Sequence, residues 1–362
     1  MKLKHIFLSF ISLLAFGLLT ACAGGGSVVN SWPGMTVDAE QEVVYVAYNT
    51  YVHAINLANG TEKWRYPAKA ENSKLFFAAP TLTQDGQLIV AGYNQVVYSL
   101  DPSSGVEKWT FDEAGNRYIA GPLVIGDKIL APSADGYLYA LDLSGKLVWK
   151  YQTEHGQWGT PAADEQNVYL PSMDHRVHAL DIATGKLIWK SDDLGGAVAS
   201  QPVLDENGTL FVGTLLPEVV AIEKNSGKIV WRTATDGWVW ASPVLKDGIL
   251  YAADLSGTVY AMQASDGAVL WKYQPVAGAK NAISSSPLIL ADKLYFVSEN
   301  GNLYAIDLAT GNPSWNKTFT AKLYVSPFAA GDKLLIAQLG AENLVVALDL
   351  NGNQIWTFVP GK

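Results

Sequence analysis

A glycine followed four residues later by a tryptophan recurs eight times along this 362-residue chain, and no other feature limits its fold as much. The pairs are Gly60/Trp64, Gly105/Trp109, Gly145/Trp149, Gly185/Trp189, Gly227/Trp231, Gly267/Trp271, Gly311/Trp315 and Gly352/Trp356. Successive tryptophans stand 40 to 45 residues apart. Each unit also carries a small residue upstream of its tryptophan (Ala54, Ser99, Ala140, Ala179, Ala221, Ala261, Ala305, Ala347), with an Asp two positions later in most units. Farther upstream each unit has one proline in a corresponding slot: Pro33, Pro80, Pro122, Pro161, Pro202, Pro243, Pro287 and Pro327. A period near 40 holding four short strand patterns is the arithmetic of a β-propeller blade.

Residues 283–319 illustrate the unit. Strand A leads into Ser286-Pro287-Leu288-Ile289, strand B spans Lys293 to Ser298, strand C spans Asn302 to Asp307, and strand D spans Asn312 to Phe319. Gly311, in the turn between C and D, is free to take positive φ. The turn Asp accounts for itself by capping nearby amides, without any metal. The eight repeat tryptophans fall on outer strands, where a broad ring can seal one blade against the next, so all eight are expected to be structural. The fold predicted is therefore all-β, an eight-bladed propeller of four-stranded antiparallel blades. It would start near Ser27, end with strand D at Gln354 to Val359, and close by packing rather than by an exchanged strand. With no long exposed sheet edge, such a ring is compatible with a monomer.

The first residues have another character. Lys2 and Lys4 precede an apolar run from Ile6 to Leu19, and small residues lead to Cys22. A charged start, a short apolar stretch and a small-residue cleavage site describe a secretory signal, too short for a good membrane span. Residues 1–21 are thus expected to be a signal peptide, 22–26 a short Gly-rich tether, and 27–362 the propeller. Cys22 is the one cysteine, so no intramolecular disulfide can form. Leu19-Thr20-Ala21-Cys22 resembles the lipobox of bacterial lipoproteins, which implies lipid on Cys22 and membrane attachment without a span. Losing Lys2 and Lys4 would take the formal charge of −9 to −11. So acidic a surface repels phosphate backbones, and no nucleic-acid partner is expected.

The segment from Ala179 to Trp189, Ala-Leu-Asp-Ile-Ala-Thr-Gly-Lys-Leu-Ile-Trp, resembles the pyrroloquinoline-quinone (PQQ) enzyme repeat, and the likeness runs over the whole propeller. Two groups share that repeat. Quinoprotein dehydrogenases hold PQQ and calcium in the channel, have long insertions and often carry a vicinal cysteine pair. The BamB family of outer-membrane assembly lipoproteins is non-enzymatic, and its layout is the better match. About 42 residues per blade leave no room for such insertions, no cysteine follows Cys22, and no carboxylates cluster as a calcium cage requires. Neither PQQ nor calcium is expected, and no catalytic residue is assigned. The resemblance implies protein partners in the cell envelope and a place on the outer membrane facing the periplasm, or on the cell surface of a single-membrane bacterium. Ala23-Gly24 also lacks the Asp that commonly retains such lipoproteins in the inner membrane.

Strands of a meander alternate in direction, so A–B and C–D loops share one face while B–C and D–A loops share the other. The A–B loops are short and acidic, as at Asp164-Glu165 and Asp205-Glu206. The D–A loops carry Phe76, Phe77, Arg117, Tyr118, His155, Trp158, Trp238, Trp240, Lys280, Lys322 and Tyr324. Four tryptophans outside the repeat (Trp32, Trp158, Trp238, Trp240) lie just ahead of a strand A proline. Aromatic rings with Arg favour binding, so Arg117, Tyr118, His155, Trp158, Trp238, Trp240 and Tyr324 mark the candidate partner face. The rings could equally plug the channel, or stack on a carbohydrate or other small ligand. His53 and His178 occupy a strand C slot filled by tyrosine in other units and are expected to pack. Only Ala23 to Gly26 separate Cys22 from blade 1, a reach of about 14 Å, which would hold the D–A face near the membrane.

Overall fold

The computed structural model describes residues 32–276 and 281–361. Signal, tether and Cys22, the start near Ser27, and Lys280 lie outside them. The described chain forms eight four-stranded antiparallel sheets, each built from four consecutive strands: an eight-bladed all-β propeller, as the repeat predicts. The blades span residues 34–66, 81–111, 123–152, 162–190, 203–234, 244–273, 288–318 and 328–358. Among the described residues no strand is exchanged between first and last blades, so side-chain contacts rather than a shared sheet close the ring.

Each repeated residue has a physical task. The eight prolines stand immediately before the eight strand A segments, which run only two to five residues and line the channel. Proline supplies no ladder donor and suits the first position of such an edge strand. The small residue sits in mid-sheet: Ala54 pairs with Tyr45 of strand B on one side and with Trp64 of strand D on the other. Tyr45 and Trp64 consequently meet over a methyl group, with ring centroids 5.9 Å apart. The same row of aromatic, alanine and tryptophan joins Tyr169 to Trp189, Phe211 to Trp231, Tyr251 to Trp271 and Tyr295 to Trp315, with centroids 5.7–6.2 Å apart. Just beyond the small residue every blade has a shift in C–D register. Such a bulge bends the outer strand and re-aims its side chains.

The bulge turns each tryptophan towards the next blade, where it covers that blade's repeat glycine. A Cβ placed on Gly185 would lie 2.5 Å from Cδ2 and Cε3 of Trp149, and Gly60 faces Trp356 across the ring closure in the same way. Seven of the eight indoles donate to a main-chain carbonyl of the next blade, for example Trp189 to Lys224 (2.8 Å) and Trp356 to Leu57 (2.9 Å). At the eighth interface the hydroxyl of Tyr251 reaches that carbonyl, on Leu308, instead of Trp271. Each such bond contributes about 1 kcal/mol net.

The seal is incomplete on its outer side. Only Trp149 and Trp356 are buried; Trp64, Trp109, Trp189, Trp231, Trp271 and Trp315 are half-buried. Strand D is the outermost strand of its blade, so no further strand shields the ring on the outer side. Trp109 still covers Gly145, at 2.5 Å from its missing Cβ, and shares its N–H between the Gln87 side chain (2.9 Å) and the Leu143 carbonyl (3.0 Å). Trp315 sits more loosely: it stands 3.1 Å from the Cβ position of Gly352 and bonds the Leu350 carbonyl at 3.1 Å. Both therefore keep the inter-blade contact without full burial. The buried apolar side chains of the described residues form eight clusters, one at each blade interface. The core is thus a ring of eight partitions, and both faces are left to loops.

Candidate functional site

The B–C and D–A loops carry two aromatic groups. Over blades 1–3, Trp32 meets the edge of Phe77 (5.2 Å), Phe77 lies on Tyr93 (4.6 Å), and the guanidinium of Arg117 sits 4.8 Å from the centre of Tyr93. Over blades 4–6, Trp158 and Trp240 touch at 6.0 Å with planes 56° apart. They come from the loops entering blades 4 and 6, so the pair spans the inner end of blade 5. Both are half-buried.

Trp238 differs from them. It is 46% exposed, and loops of the same face also expose Leu216 (43%), in the B–C turn of blade 5, and Val276 (53%), in the loop leaving blade 6. The backbone beneath Trp238 is pinned. Val239, buried under Trp238, donates its N–H to Thr214 O (3.0 Å), and Leu255 donates to the carbonyl of Trp238 (2.9 Å). The carboxylate of Asp254, fully buried, gathers the amides of Gly237, Ser256 and Thr258 and the Tyr260 hydroxyl, at 2.8–3.0 Å. A buried carboxylate with that many donors fixes the loops around it. The exposed apolar groups therefore stand on a preorganised rim, which lowers the ordering cost of binding.

The remaining expected residues divide. His155 is exposed, while Tyr324 is half-buried with the ammonium of Lys322 6.0 Å from its ring centre. Tyr118 is a correction: it is fully buried in the partition between blades 2 and 3, packed with Ala114 and Tyr139. That burial pushes its phenol pKa up, and its ring offers nothing to a partner. Phe76 and Phe77 are buried as well. The position four residues before the strand A proline is buried in every described D–A loop, so Tyr118 and Phe76 fall on the inward-facing site of the repeat. Leu216 escaped notice, although Leu215-Leu216-Pro217 is an apolar turn where other blades place Asn, Asp or Gly.

The two strand C histidines are buried within polar networks. His178 lies between the hydroxyl of Tyr151 on the preceding blade (3.0 Å) and the carboxylate of Asp174 (3.0 Å). Burial by itself would raise the Asp174 carboxyl, but the bonds from His178 and Ser172 outweigh it and leave the pKa lowered. His53 bonds Glu62 at 2.7 Å. Neither ring opens on a cleft, and both tie strands together. Among the described residues no three His, Cys, Asp or Glu side chains converge on a point.

Contiguous blades sealed by tryptophan-on-glycine contacts define the class: a PQQ-repeat propeller. The family model described as outer membrane protein assembly factor BamB matches residues 28–170, 173–311 and 280–362, and the chain belongs to that family. It is 27% identical over 210 residues to the outer membrane protein assembly factor BamB of Nitrosomonas eutropha, covering 54% of this chain and 50% of that one. It is 32% identical over 177 residues to the serine/threonine-protein kinase AfsK of Streptomyces coelicolor, covering 48% of this chain and 20% of the kinase. The match thus spans half the length of the first relative and a fifth of the second. Among solved structures, BamB from Moraxella catarrhalis superposes with a TM-score of 0.71 at 15% identity, over 86% of this chain and 97% of that one, a likeness of fold.

Proposed function

We propose that the protein is a non-catalytic, lipid-anchored scaffold of the cell envelope, attached through Cys22, whose D–A face docks a protein component of outer-membrane protein assembly. Membership of the BamB family supports the setting. The observation that carries the docking face is the exposure of Leu216, Trp238 and Val276 on loops of the face that also holds the Trp158–Trp240 pair, with the Trp238 loop pinned by its backbone. Apolar groups grouped on a rigid polar rim mark interaction surfaces, and tryptophan leads among residues whose truncation costs binding. The carbohydrate reading gains little from the geometry: Trp158 and Trp240 turn towards one another rather than flanking a slot for a sugar ring. The test is a photo-crosslinker placed at Trp238 in native membranes. An adduct with an outer-membrane β-barrel assembly protein, lost when Leu216 is replaced by Ser at unchanged melting temperature, is the expected result. Adducts with glycan or lipid alone would refute the docking role.

A further inference from the structure

The face opposite the aromatic loops holds a groove of about 680 Å³ between blades 5 and 6. One residue accounts for it. The carbonyl that receives the repeat indole belongs to a C–D turn residue whose side chain points into the space between blades. That residue is Leu57, Pro102, Leu143, Ile182, Lys224, Ala264, Leu308 or Leu350 in blades 1 to 8. Leucine or isoleucine at this position packs into the neighbouring partition, as Leu143, Ile182, Leu308 and Leu350 do. Only blade 6 has a single methyl, on Ala264, and there the groove stays open, lined by Leu204 and Trp231 with Asp205, Glu206 and Asp247 at its edge.

The preceding interface, between blades 4 and 5, holds what the open one lacks. There Lys224 lays its stem along Gly208 and sets its ammonium 3.1 Å from Oδ2 of Asp164. The Asp164 carboxylate also accepts the amide of Asn167 at Oδ1 and the Tyr169 hydroxyl at Oδ2. The equivalent acid at the open groove is Asp205. Its Oδ1 accepts the Thr209 amide. Phe211 replaces the tyrosine and Ala264 the lysine, so among the described residues no donor reaches its Oδ2. None of Asp205, Glu206 and Asp247 forms an ion pair among the described residues, and the one cation in the lining, Lys246, is bonded to the Ala291 carbonyl of blade 7.

We propose that the groove between blades 5 and 6 is a receptor for a lysine or arginine side chain of a partner protein. The side chain enters as Lys224 enters the interface before it: its methylene stem lies on Trp231 and Leu204, and its charge meets Asp205. An aliphatic stem carrying one positive charge suits an apolar wall that ends in carboxylates. The propeller would then hold one partner on each face, and this site stands or falls independently of the aromatic face.

The probe is N-acetyl-lysine methylamide, titrated into isotope-labelled protein with backbone amide shifts as readout and N-acetyl-norleucine methylamide as its neutral isostere. We expect saturable shifts at Thr209, Gly248, Ala264 and Ser265 with millimolar affinity, at least fivefold weaker for norleucine and for Asp205→Asn. In Ala264→Lys, whose new side chain fills the groove, the shifts vanish while the fold and melting temperature are kept. No saturable shift up to 100 mM, equal response to the two probes, or undiminished binding in Asp205→Asn overturns the proposal. Because Asp205→Asn leaves the groove's shape intact, the test survives even if Ala264→Lys misfolds.

Discussion

At the scale of single residues, the glycine of each repeat is needed for two separable reasons. It takes positive φ, and it makes room for the indole of the preceding blade. Gly185 faces both demands, with φ +68 and Trp149 against its missing Cβ, whereas Gly86 has φ +76 and open space around it. Gly86→Ala should therefore cost about 1 kcal/mol of backbone strain, and Gly185→Ala about 2–4 kcal/mol once overpacking is added. Urea unfolding of the two variants measures the difference. The turn aspartates make the second residue-scale prediction. Hydroxyls and amides within their own turns hold the carboxyls of Asp101, Asp142, Asp181, Asp307 and Asp349 below the ordinary range; for Asp101, bonded first by Ser103 and Ser104, the value is about 2. A carboxyl whose folded pKa is depressed contributes stability that is complete above its unfolded value, near 4, and is lost as pH falls through the folded one. Urea midpoints should stay level from pH 7 to 5 and decline below about 4, with a shallower decline in Asp101→Asn.

At the scale of elements, seven interfaces are backed by a covalent D–A loop and one is not. Where blade 8 meets blade 1, closure rests on the Trp356–Leu57 bond, the Trp356 ring on Gly60, and Arg65 reaching the Gly361 carbonyl at 3.0 Å. Trp149 is buried to nearly the same degree, 9% exposed against 7% for Trp356, so the two sites compare like for like. Truncating either to Ala should cost about 3–5 kcal/mol, and Trp356→Ala should give the larger fall in melting temperature, because the seam can part without straining a loop. Equal falls would show that closure is no weaker than the other interfaces. The blades themselves were legible in the sequence because each rests on short-range spacing: proline before strand A, a small residue in C, glycine and tryptophan either side of a bulge. How deeply each tryptophan is covered was not, since Trp109 and Trp315 share the spacing of Trp149 and Trp356 but remain half-buried. The site was less legible still. Tyr118 stands four residues before its strand A proline, a position buried in all seven described D–A loops, whereas Trp238 stands five before its own and is 46% exposed, a one-residue offset easily missed among loops of unequal length. The groove at Ala264 becomes visible only once the eight C–D turn residues are compared in space.

At the scale of the whole molecule, the ring separates two kinds of surface. One face presents exposed apolar side chains on loops that are hydrogen-bonded to one another; the other presents acidic turns and the groove between blades 5 and 6. The Trp238 crosslink and the lysine titration probe these faces separately, and failure on one leaves the other standing. A disc that offers different chemistry on its two sides can join components that never touch each other.

The seam has a kinetic consequence too. Every blade is complete within a few tens of consecutive residues, and seven of the eight interfaces join blades that are neighbours in sequence. The exception is the seam, where the bonds from Trp356 to Leu57 and from Arg65 to Gly361 span 299 and 296 residues. A chain delivered from its N-terminus can therefore assemble seven blades as an open arc, in which blade 1 waits with one flank unsatisfied. The loop-closure entropy of the whole chain is met in a single late step, when the eighth blade arrives.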